Sequence, residues 1–152
     1  TDYNDMNGRL DFIEPSQIRI IPAGTTKPEA LNMLVEALSG NPAITDCEAL
    51  RRALLEREAI QSTGLGNGVA VPHVRIPEVT ELTIALGIAP DGIEFDALDN
   101  KPVQILVLFA TPKDSKKNYL SLLAKVMVAL RNRTTFASLA SCHTVEEVIA
   151  LL

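Results

Sequence analysis

The 152-residue chain has no tryptophan, only two cysteines and two histidines, and an aromatic content of 4%. Cys47 and Cys142 do not form a disulfide framework by number or spacing, and no second pair joins Cys142-His143 to complete a tetrahedral metal set. No metal site is expected, and two free thiols fit a reducing compartment. Neither cysteine carries a local nucleophile signature, and no G-x-S-x-G elbow is present for a serine hydrolase. Positive charge is also scarce. Fourteen Lys and Arg against nineteen Asp and Glu give a net charge of −5, which argues against a phosphate-backbone footprint, so nucleic acid is not an expected partner. The longest strongly apolar run, Val103 to Ala110, contains Gln104 and is far too short to cross a bilayer, so no membrane insertion is expected. The opening TDYNDMNGRLDF lacks a basic segment followed by an apolar core. A cytoplasmic protein is expected.

What remains is an ordinary globular composition, 47% hydrophobic and 22% charged. The length favours one domain, with residues 1–9 as a flexible leader and 10–152 as the folded unit. Ile18 to Ile21 is a β-branched run stopped by Pro22. Thr26-Lys-Pro-Glu29 has the pattern of a capping box, followed by Ala30, Leu31, Leu34, Val35 and Leu38 on one helical face. Thr45-Asp-Cys-Glu48 and Thr144-Val-Glu-Glu147 repeat that start signal, and the first of these helices runs out near Ile60. Val69 to Val71 is a brief strand. Leu82 to Ala89 and Val103 to Phe109 are nearly continuous apolar runs, as in strands covered on both faces. Asp91-Gly92 and Asp99-Asn100 mark turns. After Ser115, the residues Leu120, Leu123, Ala124, Met127, Val128 and Leu130 give a long helix its apolar face, with Arg131 at its basic end. The expected fold class is α/β, a mixed sheet flanked by helices.

One stretch stands apart: GLGNGVAVPHVR, Gly64 to Arg75. Its glycines do not form a dinucleotide loop, because a helix precedes them and a strand follows. Gly64, Gly66 and Gly68 read as a tight turn with positive φ. They also read as a place where backbone N–H groups approach an anion. His73 follows Pro72, which fixes φ and supplies no donor. Arg75, two residues on, shares the face of His73 in an extended chain. A neutral imidazole beside a guanidinium is a poor general base but a sensible acceptor for a phosphoryl group, whose charge the cation neutralises. From the residues alone, a packed or surface histidine is the more frequent case, and the residues favour it over a phosphoryl acceptor. His143, at a helix start, reads as structural.

The run LLEREAIQSTGLGNGVAVPHVR and the later IEFDALDNKPVQILVLFATPKDSKKNYLSLLAKV resemble phosphotransferase-system enzyme IIA domains of the fructose/mannitol type. The string Thr63-Gly64-Leu-Gly66-Asn67-Gly68-Val-Ala-Val-Pro72-His73 is most similar to the nitrogen-regulatory branch. The resemblance covers about residues 10 to 152. It implies a mixed sheet of about five strands with helices on both sides. It implies a phosphotransferase-type phosphocarrier in which His73 accepts phosphoryl from a histidine-containing phosphocarrier protein, with no cofactor. Arg57 then holds phosphoryl oxygens, Arg75 supports it, and Gly64, Gly66, Asn67 and Gly68 form the loop of the site. Where sugar-type members carry a second histidine this chain has Tyr119, a candidate neighbour of the site. Where the family has a small residue after the histidine it has Val74. The resemblance implies a regulatory phosphocarrier acting on a target protein. Two alternatives stay open, a sugar-specific component passing phosphoryl to a IIB partner and a binding-only regulatory domain.

Overall fold

A computed structural model describes residues 13–152. The expected leader over residues 1–9 lies outside the described residues. After a 3-10 turn at Pro15–Gln17 the order is β1 (Ile18–Ile20), α1 (Lys27–Ala37), α2 (Cys47–Ile60), β2 (Gly64–Gly66), β3 (Val69–Ala70), β4 (His73–Arg75), β5 (Thr83–Ile93), β6 (Val103–Thr111), α3 (Lys116–Arg131), α4 (Arg133–Ala140) and α5 (Val145–Leu151).

The sheet has six strands, with β2 and β4 added to those the residue pattern indicates. Its axis is β6, antiparallel to β5 over most of its length. β5 pairs in parallel with β1. The other side of β6 takes two short parallel strands in succession. β3 sets Val69 opposite Ile105, and β4 sets His73 opposite Phe109. Pro72 interrupts them because it has no N–H to give the ladder, but its carbonyl still accepts from Phe109 N–H at 2.9 Å. The sheet is therefore mixed, as expected. Alternate residues of β6 enter two cores. Ile105, Val107 and Phe109 pack with α3 and α4. Leu106, Leu108 and Ala110 pack with α1 and α2. Burial on both faces explains why β5 and β6 read as unbroken apolar runs.

Local signals set the helix starts. Thr26 accepts from Glu29 N–H at 3.3 Å while the Glu29 carboxylate accepts from Thr26 N–H at 3.0 Å. Thr144 caps α5 through Glu147 N–H at 3.1 Å. At α2 the cap is Asp46, one residue later than the sequence pattern indicates, accepting from Ala49 N–H at 3.0 Å. Thr45 is occupied elsewhere, since its hydroxyl and its N–H both bond the Glu78 carbonyl. Asp91-Gly92 is not a turn between strands. It is a bend inside β5, with Gly92 at φ 76°, after which Ile93 resumes pairing with Val103.

The largest departure is α3. Its core face is Leu122, Val126, Ala129 and Leu130. Leu120 and Val128, expected inside, are 49% and 61% exposed. The helix is apolar around much of its circumference, so periodicity does not select which side turns inward. Leu123 and Met127 flank the core face. The short helix α4, capped by Asn132, is an addition to the elements expected from the residue pattern.

Candidate functional site

The hairpin before the histidine accounts for much of the glycine content. Asn67 and Gly68 join β2 to β3 with φ of 57° and 83°, the two positive angles of a type I′ turn. Asn-Gly is the favoured pair there, a signal the sequence offers and the glycine spacing obscured. Asp99 accepts from Asn67 N–H at 3.0 Å and from Lys101 N–H at 3.1 Å. These two bonds, from Asn67 first, hold the Asp99 carboxyl below its ordinary range. A Cβ on Gly68 would lie 2.7 Å from Phe136 Cζ. A Cβ on Gly64 would lie 2.8 Å from Ala97 Cα. Both glycines thus allow close approach within the chain itself. A groove of about 380 Å³ lies beside the hairpin, lined by Leu65, Asn67, Val69, Met127 and Arg131 among others.

His73 opens β4, and burial alternates along it: His73 partly buried, Val74 buried, Arg75 exposed. Val74 belongs to the core under α1 and α2. Its bulk therefore lies on the side of the strand opposite His73 and Arg75. The imidazole Nδ1 is 3.1 Å from the Val71 carbonyl. A carbonyl only accepts, so Nδ1 carries the hydrogen in this bond, and in the neutral ring the lone pair is then on Nε2. Tyr119, from the first turn of α3, lies against the imidazole with ring centroids 5.7 Å apart and planes tilted by 30°. Phe109, beneath, meets Tyr119 edge-on at 5.4 Å. The imidazole is thus held by one backbone acceptor and one aromatic face.

Burial pushes the Tyr119 phenol above its ordinary value of 10.0, and the positive charges of Arg57 and Arg75 act in the opposite direction. Both guanidiniums thus favour the charged form of the ring that covers His73. Arg57 reaches this corner from the last turn of α2, where its Nη1 donates to the Gln61 carbonyl at 2.8 Å. The fold sets Tyr119 of α3 against His73 of β4, and the charges of Arg57 from α2 and Arg75 from β4 act on the Tyr119 ring. The hydrogen bonds and ring contacts of the described residues do not join Gly66, Asn67 or Gly68 to His73. Gly66 and Asn67 instead border the groove at α3, and Gly68 lies against Phe136.

Residue chemistry missed Glu58. It is 6% exposed in the last turn of α2 and accepts from Thr63 through both its N–H, at 3.2 Å, and its hydroxyl. Its signal in the sequence is only its place beside Arg57. Burial, and then Glu147, raise the Cys142 thiol above its ordinary value, the opposite of what a thiolate nucleophile needs. His143 is exposed, with its backbone N–H bonded to Glu147 at 3.3 Å. Among the described residues no helix is long and apolar enough to cross a membrane.

Comparison with known proteins gives the family. Residues 11–152 match the family model for the phosphoenolpyruvate-dependent sugar phosphotransferase system, EIIA 2. A fructose-specific EIIA component of Haloferax volcanii is 31% identical over 128 residues, covering 82% of this chain and 83% of the relative. A nitrogen regulatory protein of Escherichia coli is also 31% identical over 128 residues, covering 84% of this chain and 78% of the relative. The crystal structure of the nitrogen regulatory protein IIA-Ntr from Neisseria meningitidis superposes with a TM-score of 0.79 at 27% identity, covering 91% of this chain and 94% of that one. The chain belongs to the EIIA 2 family of the phosphoenolpyruvate-dependent sugar phosphotransferase system.

Proposed function

We propose that residues 10–152 form one phosphocarrier domain, cytoplasmic and regulatory, in which His73 Nε2 accepts a phosphoryl group from a histidine-containing phosphocarrier protein. The observation that carries this reading is the hydrogen bond from Nδ1 to the Val71 carbonyl, which leaves the Nε2 lone pair for attack.

The step is an in-line displacement. The Nε2 lone pair forms a bond to phosphorus as the bond between phosphorus and the donor imidazole breaks, and that electron pair returns to the donor ring. Positive charge grows on the His73 ring, and the Val71 carbonyl stabilises it through Nδ1–H. Arg57 and Arg75 neutralise the phosphoryl oxygens as they spread charge in a loose transition state. One phosphoimidazole replaces another, so the protein supplies position and charge rather than a large driving force. Tyr119 fixes the plane of the ring. The groove between the β2–β3 hairpin and α3 offers a partner apolar surface at Leu65 and Met127.

A second reading is favoured by the Haloferax relative, whose name is fructose-specific EIIA component. In it the same phosphohistidine passes its cargo to a IIB partner instead of signalling to a target protein. The test is intact mass after incubation with a phosphorylated histidine phosphocarrier, with His73→Ala alongside. An acid-labile phosphoryl adduct on wild type alone is expected. An adduct on the variant, or none on wild type with a competent set of donors, refutes the reading. Chase of the adduct into a IIB domain separates the sugar role from the regulatory one.

A further inference from the structure

Glu58 is a buried charge that the transfer step does not use, and it is placed where a helix should not want it. It lies in the last turn of α2, at the negative end of the helix dipole. Its partner Lys27, 3.0 Å away, is the first residue of α1, at the positive end of that helix. The two side chains are 3% and 16% exposed. Burial adds a desolvation penalty to two unfavourable dipole interactions, so helix stability does not explain the pair.

The hydrogen bonds around it do. The Glu58 carboxylate accepts from the N–H and hydroxyl of Thr63. The Thr63 carbonyl accepts from Val71 N–H at 3.1 Å. The Val71 carbonyl accepts from His73 Nδ1 at 3.1 Å. A continuous path therefore runs from the end of α2 to the imidazole. The segment around Thr63 is pinned on the same side. Ser62 Oγ donates to the Phe95 carbonyl at 2.8 Å and accepts from Gly64 N–H at 3.1 Å. Lys27 Nζ sits 4.5 Å over the Phe95 ring.

We propose that Glu58 is a positioning residue for phosphoryl transfer: its carboxylate anchors Thr63, and the Thr63–Val71–His73 hydrogen bonds carry that anchor to the imidazole, fixing its tautomer and the direction of Nε2. The inference rests on the phosphocarrier reading of His73. Glu58 does not touch the imidazole. Because it neighbours Arg57, one helical turn sets both the cation and the nucleophile. Separate attachment would let a small shift of α2 spoil their alignment.

The experiment uses the full chain as wild type, Glu58→Gln, Thr63→Val and Thr63→Ser. Glu58→Gln keeps the shape and one acceptor oxygen, and Thr63→Val keeps the backbone bond, so both are chosen to fold. Circular dichroism checks that they do. Long-range nitrogen–proton NMR of the imidazole reports the His73 tautomer without any donor present. Phosphoryl acceptance is then followed against the concentration of a phosphorylated histidine phosphocarrier. Wild type should show the Nδ1–H tautomer. In Glu58→Gln and Thr63→Val both tautomers should appear, and the maximal transfer rate should fall roughly 10- to 100-fold while the half-saturating donor concentration stays within about twofold. Thr63→Ser, which keeps the hydroxyl, should restore both readouts. Folded variants with an unchanged tautomer and an unchanged rate would overturn the proposal and leave Glu58 a structural group. If wild type accepts no phosphoryl, the phosphocarrier reading fails, and the tautomer measurements decide the positioning role by themselves.

Discussion

Gly68→Ala would drive a methyl group into the ring of Phe136. The alanine Cβ would lie 2.7 Å from Cζ and 3.4 Å from Cε2 of that ring, a residue 5% exposed in the α3 core. The backbone there is also left-handed, at φ 83°. Two penalties are therefore mixed, and Gly24 separates them. Its φ is 80°, but nothing lies within 4 Å of a Cβ built on it. The left-handed conformation costs a non-glycine residue roughly 1–2 kcal/mol, of which about 0.4–1 kcal/mol is returned because alanine restricts the unfolded chain. Gly24→Ala should then lose about 1 kcal/mol. Gly68→Ala carries the same strain plus an overpacking term of roughly 1–3 kcal/mol. Its total is about 2–4 kcal/mol, which for a chain of this size lowers Tm by roughly 4–16 °C. The assay is urea unfolding of both variants and of each combined with Phe136→Leu, which removes the atom that Cβ meets. The penalty at Gly68 should shrink by roughly 0.5–3 kcal/mol in that background, as for residues in direct contact, while the penalty at Gly24 stays. If Gly68→Ala costs no more than Gly24→Ala, the hairpin does not seat against Phe136 as described, and the steric account of this glycine is wrong.

Further outcomes follow from the site. Arg57→Ala should slow phosphoryl acceptance by roughly 10²- to 10³-fold, the scale of losing one preorganised donor to developing charge, with little change in the urea midpoint; an unchanged rate removes Arg57 from the site. Tyr119 should ionise above 10.0, and Arg57→Ala or Arg75→Ala should move it higher still, because those cations favour the phenolate; ultraviolet titration checks the order, and a downward move refutes the electrostatics. The folded value is raised, so the stability linked to this phenol is full below its unfolded pKa and is lost as pH rises through the folded one. Iodoacetamide at neutral pH should label Cys47 before Cys142, since Cys142 is buried and its thiol is pushed up; peptide mass mapping reads the order, and equal labelling contradicts it.

Much of this architecture is written in short stretches. Thr26-Glu29 and Thr144-Glu147 specify helix starts because donor and acceptor lie three residues apart and need nothing else. The apolar runs of β5 and β6 are legible because both faces are covered. The strands β2 and β4 were not, since three residues carry no pattern and they exist only through pairing with β3 and β6. Thr45 gave way to Asp46 because Glu78, thirty-three residues on, claims its hydroxyl. The inward face of α3 is not legible because that helix is apolar on two sides, and packing against the sheet selects Leu122 and Val126 over Leu120 and Val128. Within the candidate site, the alternation of His73 and Arg75 around Val74 follows from strand geometry. Neither the contact with Tyr119 nor the anchor at Glu58 does.

The sequence by itself determined the capped helices, the central strands and the Asn-Gly turn. Each rests on hydrogen bonds or alternation spanning a few residues. Only the tertiary structure decided which face of α3 is buried, which nitrogen of His73 is free and what stands around it. Those outcomes depend on atoms brought together from α2, β4 and α3, and no local pattern encodes contacts across that distance.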